Sequence, residues 1–340
     1  MNVPSWLWWA TVLVTTSLLL VDLFIVGRRP HEPSMREVTR HLAAYIGLAV
    51  AFGLGVFAVA GPRYGGEFFA GWLTEYSLSV DNLFIFIIIM AKFAVPRVLQ
   101  QTALLVGIVV ALVMRGAFIA VGAVAIERFS WVFYLFGAFL VWTAVKLARE
   151  GAEDEDEFEE NRLILWIERR LPATKEYHGA AVVIRQNGRW LVTPMLVVML
   201  TIGTTDLLFA LDSIPAIYGL TQEPYLVFTA NVFALMGLRQ LYFLIGGLLQ
   251  RLIYLSKGLA FLLGFIGVKL VFHALHTNEV PFINGGNPVE WVPDIPIWVS
   301  LLVILGTLGI TTVASLIAAK GRSEAYLDEH TGPRRETHHH

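Results

Sequence analysis

The chain has 340 residues, of which 56% are hydrophobic and only 15% are charged, and its formal net charge at pH 7 is −2. A soluble domain carries roughly 25% charged residues, so the composition indicates an integral membrane protein, and the balanced charge argues against a nucleic-acid partner. Cysteine is absent from the chain, which excludes disulfides, thiolate metal ligands and cysteine nucleophiles within it.

The chain begins with a hydrophobic stretch that we interpret as a first membrane span, not as a signal peptide. The stretch lacks a basic leading region and a small-residue cleavage site, and Trp6, Trp8 and Trp9 are placed to form an interfacial belt. About 20 apolar residues are needed to cross a bilayer as a helix, and nine segments qualify. The predicted spans are 5–26, 41–61, 71–92, 100–122, 129–148, 192–214, 225–248, 257–276 and 296–319.

The distribution of basic residues predicts the orientation of these spans. Of the 25 lysines and arginines, 20 lie in every second loop, whereas the opposite loops hold only Arg63 and Arg128. Because basic residues concentrate in cytoplasmic loops, we expect the N-terminus outside and the C-terminus in the cytoplasm of a bacterial-type inner membrane. The three remaining basic residues, Arg115, Arg239 and Lys269, fall within predicted spans.

Two stretches of the chain resemble each other, which predicts an internal repeat. ALVMRGAFIAVGA resembles ALMGLRQLYFLIGG, and DNLF resembles DLLF. Asp81 precedes Arg115 by 34 residues, Asp206 precedes Arg239 by 33, and a lysine follows each arginine after 31 or 30. Short apolar matches also arise by chance, but polar residues at matched spacings disfavour that explanation. Each unit has three spans, so the second is expected to be inverted, as in many secondary transporters.

The predicted fold is therefore an all-α polytopic membrane protein of about nine transmembrane helices with two inverted three-helix repeats. Two peripheral N-terminal spans precede the first repeat, and one span follows the second. The predicted segments are 1–66 (peripheral spans), 67–148 (first repeat), 149–191 (cytoplasmic acidic loop, amphipathic helix and hairpin), 192–276 (second repeat), 277–320 (last span) and 321–340 (tail with a probable tag remnant).

Acidic residues inside two of the spans are the main functional signal. The third span contains Glu75, Asp81 and Asn82, and the sixth contains Asp206 and Asp212. Because charges in a membrane interior are costly, such residues mark ion pathways by default. The predicted inversion places the two central aspartates near each other, with the other two acids on the outer side.

The geometry of a regular helix does not favour both acids of a span in one site. Neighbours on a helix face are three or four residues apart, whereas Asp206 and Asp212 are six apart. Pro215 is expected to break the local hydrogen-bond ladder, and broken helices at membrane depth often line ion sites.

Oxygen ligands without sulfur suit hard divalent cations, namely Mg²⁺, Ca²⁺ or Mn²⁺. The carboxylates would bind such an ion or protons, and Asn82 and Ser213 would add neutral oxygens. In the alternative reading, the acids form purely structural salt bridges with Arg115, Arg239 and Lys269. Both readings can hold together, since a basic residue can hold the site when the ion is absent.

These residues also resemble a known family. The segments EYSLSVDNLFIF and TTDLLFALDSIPAIYGLTQEPYLVFTANVFALMGLRQLYFLI are similar to the two signature blocks of the TerC family of integral membrane proteins, and the resemblance covers about 67–275. The family includes manganese exporters and proteins named for tellurium resistance, and it is grouped with the lysine-exporter superfamily. The resemblance implies Mn²⁺ efflux driven by protons. The positions that match the family's acidic motifs are Asp81, Asn82, Asp206 and Asp212.

Three smaller features have weaker functional readings. The acidic run 150–160 would bind Mn²⁺ or Ca²⁺ weakly, but such runs are more often solvated linkers. The amphipathic segment 161–171 and the predicted hairpin 180–193 would form an inner lobe. His273 and His276 would bind a metal or relay protons, although histidines at a membrane interface are commoner without such a role.

The sequence thus predicts a secondary transporter that exports a divalent cation, with Mn²⁺ first and Ca²⁺ or Mg²⁺ as alternatives, by exchange with protons. Its metal ligands would be Asp81, Asn82, Asp206, Asp212, Glu75 and Ser213, with Arg115, Arg239 and Lys269 as counter-charges. We expect no tightly bound cofactor and no enzymatic activity, and the partners are the bilayer, the metal ion and protons. The alternative is a membrane scaffold in a stress response such as tellurium resistance. Oligomeric state is left open, a homo-oligomer included.

Overall fold

A computed structural model describes residues 3–28, 33–150, 174, 176–186, 189–245 and 254–331. These residues form nine α-helices and two short strands. The helices are α1 (Ser5–Arg28), α2 (Met35–Ala60), α3 (Pro62–Lys92), α4 (Arg97–Arg128), α5 (Val132–Glu150), α6 (Pro194–Tyr218), α7 (Pro224–Ile245), α8 (Leu255–His276) and α9 (Ile297–Thr331). The strands are β1 (Val183–Gln186) and β2 (Arg189–Val192), and a 3₁₀ turn lies at Asn284–Gly286.

The prediction of an all-α polytopic membrane protein is confirmed. Among the described residues, eight helices, α2 to α9, are long and apolar enough to cross a membrane. The ninth, α1, has 24 residues and lies at the predicted first span. Every predicted span thus coincides with a helix.

Local sequence signals explain where several helices begin. The Ser34 hydroxyl accepts a hydrogen bond from the Glu37 N–H and caps α2. Gly61 joins α2 to α3 with φ +100°, a conformation that L side chains rarely adopt. Pro62 and Pro194 then open α3 and α6, where the missing N–H of proline costs nothing.

The helices pack in a pattern that joins the two predicted repeats. The most extensive contacts are between α5 and α8, between α3 and α7, and between α4 and α6. In the predicted repeat, α3, α4 and α5 correspond to α6, α7 and α8. The symmetry partner of the α3–α7 pair is then the α6–α4 pair. The α5–α8 pair is its own symmetry partner. The inverted repeat stays a prediction, and this pairing is the one it would produce.

The α5–α8 crossing is close because two glycines meet there. A Cβ atom added to Gly267 would lie 3.0 Å from the Gly137 carbonyl oxygen, and one added to Gly137 would lie 2.8 Å from the Gly267 carbonyl oxygen. Small residues of this kind let helix backbones approach in membranes.

Burial separates central helices from peripheral ones. Of the most apolar 18 residues of α7, 89% are buried inside the protein, compared with 17% in α2 and 11% in α9. The outer faces of α2 and α9 instead carry exposed apolar side chains such as Leu54, Val59 and Ile310. Helix α7 therefore lies in the middle of the bundle, where its polar residues are shielded from lipid.

The predicted inner lobe is described only in part. Strands β1 and β2 pair antiparallel at the predicted hairpin, with Val183 opposite Val192. The Tyr177 hydroxyl donates a 2.7 Å hydrogen bond to the Phe93 carbonyl, which ties this segment to the loop between α3 and α4. The predicted Asn187-Gly188 turn, the acidic run 150–160 and the amphipathic segment 161–171 lie outside the described residues.

Candidate functional site

The centre of the bundle contains Arg115, whose guanidinium is wholly buried. Arg115 extends from α4 toward α6 and donates two hydrogen bonds to the carboxylate of Asp206. Its Nε donates to Oδ2 at 2.7 Å and its Nη2 donates to Oδ1 at 3.1 Å. This two-pronged geometry is the strongest form of carboxylate recognition available to a side chain.

The third nitrogen of the guanidinium faces two further helices. Arg115 Nη1 donates to Glu75 Oε1 of α3 and to Asn231 Oδ1 of α7, the latter at 2.9 Å. The Ser213 hydroxyl of α6 lies 3.3 Å from the same nitrogen. Four helices, α3, α4, α6 and α7, therefore meet at one cation. We call Glu75, Arg115, Asp206, Ser213 and Asn231 the central cluster.

The central cluster holds more acidic groups than basic ones. Glu75 and Asp206 are 0% and 1% exposed, and with both ionised they exceed the single Arg115 charge by one. The second oxygen of Glu75, Oε2, has no hydrogen-bond partner among the described residues. A buried carboxylate oxygen without a hydrogen bond costs on the order of several kcal/mol unless a proton or a cation joins it. With both acids ionised, the central cluster therefore carries one uncompensated negative charge.

The structure brings together some of the predicted site residues. Glu75, Asp206 and Ser213, all predicted ligands, contact the predicted counter-charge Arg115. Asn82 is buried on α3, and Asp81 lies beside it on the same helix, with a side chain outside the described set.

Asp212 lies on a different side of α6 from the central cluster. Its carboxylate accepts a 3.0 Å hydrogen bond from the Thr143 hydroxyl of α5. Helix α6 continues past Pro215 to Tyr218, so the chain does not break between Asp206 and Asp212. An unbroken helix turns the two carboxylates toward different neighbours because they are six residues apart.

The other two predicted counter-charges lie apart from Arg115. Arg239 is buried on α7. Lys269 of α8 donates a 3.0 Å hydrogen bond to the Ser300 hydroxyl of α9. Lys269 also lines a cavity of about 450 Å³ together with His273 and His276. Lys269, His273 and His276 thus belong to a second polar region, and not to the central cluster.

Asn231 is the member of the central cluster that sequence analysis missed. It lies in the stretch TANVFALMGLR and is completely buried, with its amide oxygen on Arg115. A carboxamide inside an apolar span was a visible signal, because polar residues in transmembrane helices usually bond across helices.

The two carboxylates of the central cluster are bridged by a side chain of the protein itself. Among the described residues, no three histidine or acidic side chains converge as a metal site. Arg115 instead occupies the space between the two carboxylates. An incoming cation would therefore compete with a cation that is tethered to the protein.

Comparison with known proteins identifies a matching family and several relatives of the chain. The model of the integral membrane protein TerC family matches residues 60–323, which include the central cluster. An uncharacterized membrane protein of Mycobacterium tuberculosis is 46% identical, over 97% of this chain and 86% of its own length. One from Myxococcus xanthus is 37% identical over 92% of this chain and 93% of its own length.

A third relative has a more informative name. The Escherichia coli K12 protein Alx, whose name proposes a membrane-bound redox modulator, is 35% identical over 90% of this chain and 93% of its own length. No solved structure matches the chain. From the family match and the near full-length relatives, we conclude that the chain belongs to the TerC family of integral membrane proteins.

Proposed function

We propose that the protein is a secondary transporter that exports a divalent cation, with Mn²⁺ as the first candidate, in exchange for protons. The observation that carries this proposal is the buried central cluster. In it, two carboxylates surround one arginine, and the Glu75 Oε2 atom has no hydrogen-bond partner within the described part of the chain. Membership of the TerC family, which includes manganese exporters, supports the same function.

Charge balance suggests how exchange would work. With a proton on Glu75, the cluster is neutral, because the charges of Arg115 and Asp206 cancel. A divalent cation needs both carboxylates ionised, so its binding displaces that proton. The same cation repels Arg115, which must release at least one carboxylate as the ion binds. Proton and metal therefore compete for Glu75, and this competition is the basis of coupling.

The neutral oxygens of the cluster fit the proposed cargo. Ser213 and Asn231 present a hydroxyl and an amide oxygen beside the two carboxylates. Mn²⁺, Mg²⁺ and Ca²⁺ all accept such ligands. The choice of Mn²⁺ among them comes from the family resemblance.

The predicted repeat extends the proposal to the other half of the molecule. Asp81 and Arg239 are the sequence counterparts of Asp206 and Arg115. We include Asp81 and Asn82 as ligands at a second stage of the path, with Arg239 as its counter-charge. Glu75 has leucine, Leu200, at the corresponding position, so the two halves would not be equivalent.

A redox role, as the name of the Escherichia coli relative proposes, would not use a thiol of this chain. The chain has no cysteine, so it offers no thiol for redox chemistry. Control of the cellular level of a redox-active ion such as Mn²⁺ would connect transport with such a role.

Flux measurement tests the proposal directly. Purified protein in proteoliposomes should take up Mn²⁺ in a saturable manner that depends on a pH gradient, and Asp206→Asn should abolish the uptake. Glu127→Gln is the matched control, because Glu127 is an exposed carboxylate at the end of α4. Absence of flux of Mn²⁺, Ca²⁺ and Mg²⁺ in folded protein would overturn the proposal.

One observation favours the scaffold alternative. All three guanidinium nitrogens of Arg115 donate hydrogen bonds, and the acceptors lie on three other helices. A cluster that only holds helices together would look similar. Deletion of 150–175 separates the two functions. A transporter should retain flux without this cytoplasmic segment, whereas a scaffold would lose its partners.

A further inference from the structure

A polar cavity opens beside the central cluster, on the predicted outer side. It has a volume of about 450 Å³ and is bounded by the start of α3, the ends of α6 and α8, and the loop before α9. We call it the outer cavity. Its charged and titratable lining residues are Arg63, Glu67, Tyr218, Lys269, His273, His276 and Asp294.

Helices α3 and α6 pair in a regular antiparallel register from this cavity to the central cluster. At the cavity, the Thr221 hydroxyl just after α6 donates a 2.7 Å hydrogen bond to Glu67 Oε2. Eight residues farther along α3, Glu75 shares the Arg115 guanidinium with Ser213, which is eight residues before Thr221. Each step of four residues on α3 thus matches four residues on α6.

An apolar contact lies halfway between these two polar levels. A Cβ atom on Gly71 would lie 3.3 Å from the Ile217 Cγ2 atom and 3.5 Å from the Ala230 Cβ atom. Ile217 and Ala230 are both 0% exposed. Four residues of helix rise about 6 Å, so this contact lies about 6 Å from each polar level, and the two levels are about 12 Å apart.

The helix end that carries Ile217 lacks one backbone hydrogen bond, although the Tyr218 hydroxyl still joins it to the Ile119 carbonyl of α4 at 2.7 Å. Pro215 lies inside α6, so its ring nitrogen cannot donate to the Leu211 carbonyl, and the helix ends three residues later at Tyr218. The residues on either side of Ile217, Ala216 and Tyr218, are also buried, and Tyr218 lines the outer cavity. Displacing this last turn breaks fewer backbone hydrogen bonds than displacing a turn in mid-helix.

We propose that the outer cavity is the outward vestibule of the transport path, and that Ile217 packed on Gly71 is the gate between the vestibule and Glu75. The gate opens when the last turn of α6 swings at Pro215. The hydrogen bond from Thr221 to Glu67 holds the gate shut, since it joins the loop after α6 to α3. This inference rests on the proposed transport function and adds the route by which a divalent cation leaves and a proton arrives.

Thiol accessibility tests the gate, because the natural chain has no cysteine that would react. Gln222→Cys reports on the vestibule, because Gln222 is an exposed residue of the cavity lining, and Ser213→Cys reports on the central cluster. A membrane-impermeant thiol reagent, added separately to either side of sealed vesicles, should modify the first variant rapidly from one side only. It should modify the second variant at least tenfold more slowly from that same side.

Opening the gate should then expose the cluster. Adding Ile217→Ala to Ser213→Cys should raise the modification rate about tenfold or more, since a tenfold change corresponds to only about 1.4 kcal/mol. Ile202→Ala is the matched control, because Ile202 is also a fully buried isoleucine of α6, but packs against Gly107. Gly71→Ala should have the opposite effect and slow the modification, because its methyl group tightens the contact with Ile217.

Three outcomes would overturn the gate: equal rates for Ser213→Cys and Gln222→Cys, no effect of Ile217→Ala, or an equal effect of Ile202→Ala. A misfolded variant is recognised because the modification rate of Gln222→Cys in the same background also changes, and Gly71→Ala then gives an independent reading. The assay needs no metal, so its outcome is separable from the flux experiment. If the protein shows the gated pattern of modification but no flux, the proposal of a gate stands and the proposed cargo is wrong.

Discussion

Arg115 and Asp206 form a two-pronged ion pair between α4 and α6, with hydrogen bonds of 2.7 and 3.1 Å. The two residues are 91 positions apart in the chain and belong to different predicted repeats. Because Arg115 also contacts Glu75, one guanidinium binds an acid from each unit. Ion pairs from this one guanidinium therefore join the two predicted repeats at their interface.

Removal of the arginine should destabilise the protein. Arg115→Gln leaves two buried carboxylates without a counter-charge, which costs about 3–5 kcal/mol. We expect a clear fall in Tm, measured by thermal unfolding in detergent. Arg128→Gln, at the exposed end of the same helix, is the control and should leave Tm unchanged.

The origin of that loss can be checked in the same assay. Adding Glu75→Gln and Asp206→Asn to Arg115→Gln removes the uncompensated charges and should recover most of the Tm. If the triple variant is as unstable as Arg115→Gln alone, packing of the arginine and not its charge is responsible.

Neutralisation of Glu75 should affect the thermal stability of the protein and the coupling of Mn²⁺ flux to protons differently. Glu75→Gln keeps an oxygen that accepts from Arg115 Nη1 and removes the excess negative charge, so Tm should be unchanged or higher. Flux of Mn²⁺ in proteoliposomes should fall, because the ion loses one of its two carboxylates. The flux that remains should lose its dependence on the pH gradient, because the competing proton has lost its site. Glu75→Asp retains a carboxylate and should keep some dependence. A pH-driven flux in Glu75→Gln at the level of the natural chain would exclude Glu75 as the coupling group.

The two aspartates of α6 should differ in importance. Asp206 is buried in the central cluster, whereas Asp212 is only partly buried and accepts from Thr143 of α5. We expect Asp206→Asn to abolish Mn²⁺ flux and Asp212→Asn to reduce it several-fold at most. An equally complete loss in both variants would show that Asp212 takes part in the site in another conformation.

The close crossing of α5 and α8 should tolerate no side chain at Gly267. In Gly267→Ala, the new methyl group would lie 3.0 Å from the backbone of Gly137 and Val141, which cannot move aside easily. Overpacking of this kind costs about 1–3 kcal/mol, which should be visible as a lower Tm. Gly264→Ala, whose methyl group would make an ordinary 3.5 Å contact with the Ala144 Cβ atom, is the control and should have little effect.

Much of the fold could be predicted because it follows from local properties of the chain. Span length and hydropathy are set by the bilayer, and each of the nine predicted spans coincides with a helix. Charges inside a span are costly wherever they occur, so Glu75, Arg115 and Asp206 stood out without any knowledge of the packing.

The tertiary structure decided which of these charges meet. Sequence periodicity does not say which side of α6 faces α4. The expected break at Pro215 grouped Asp206 with Asp212, which the unbroken helix instead turns toward α5. Asn231 was passed over because an amide carries no charge to signal its cost, yet it completes the shell around Arg115. Lys269 matched the repeat in spacing, but packing placed it on the outer cavity. The sequence by itself determined which residues needed partners, and only the rotation and register of packed helices determined the partners they have.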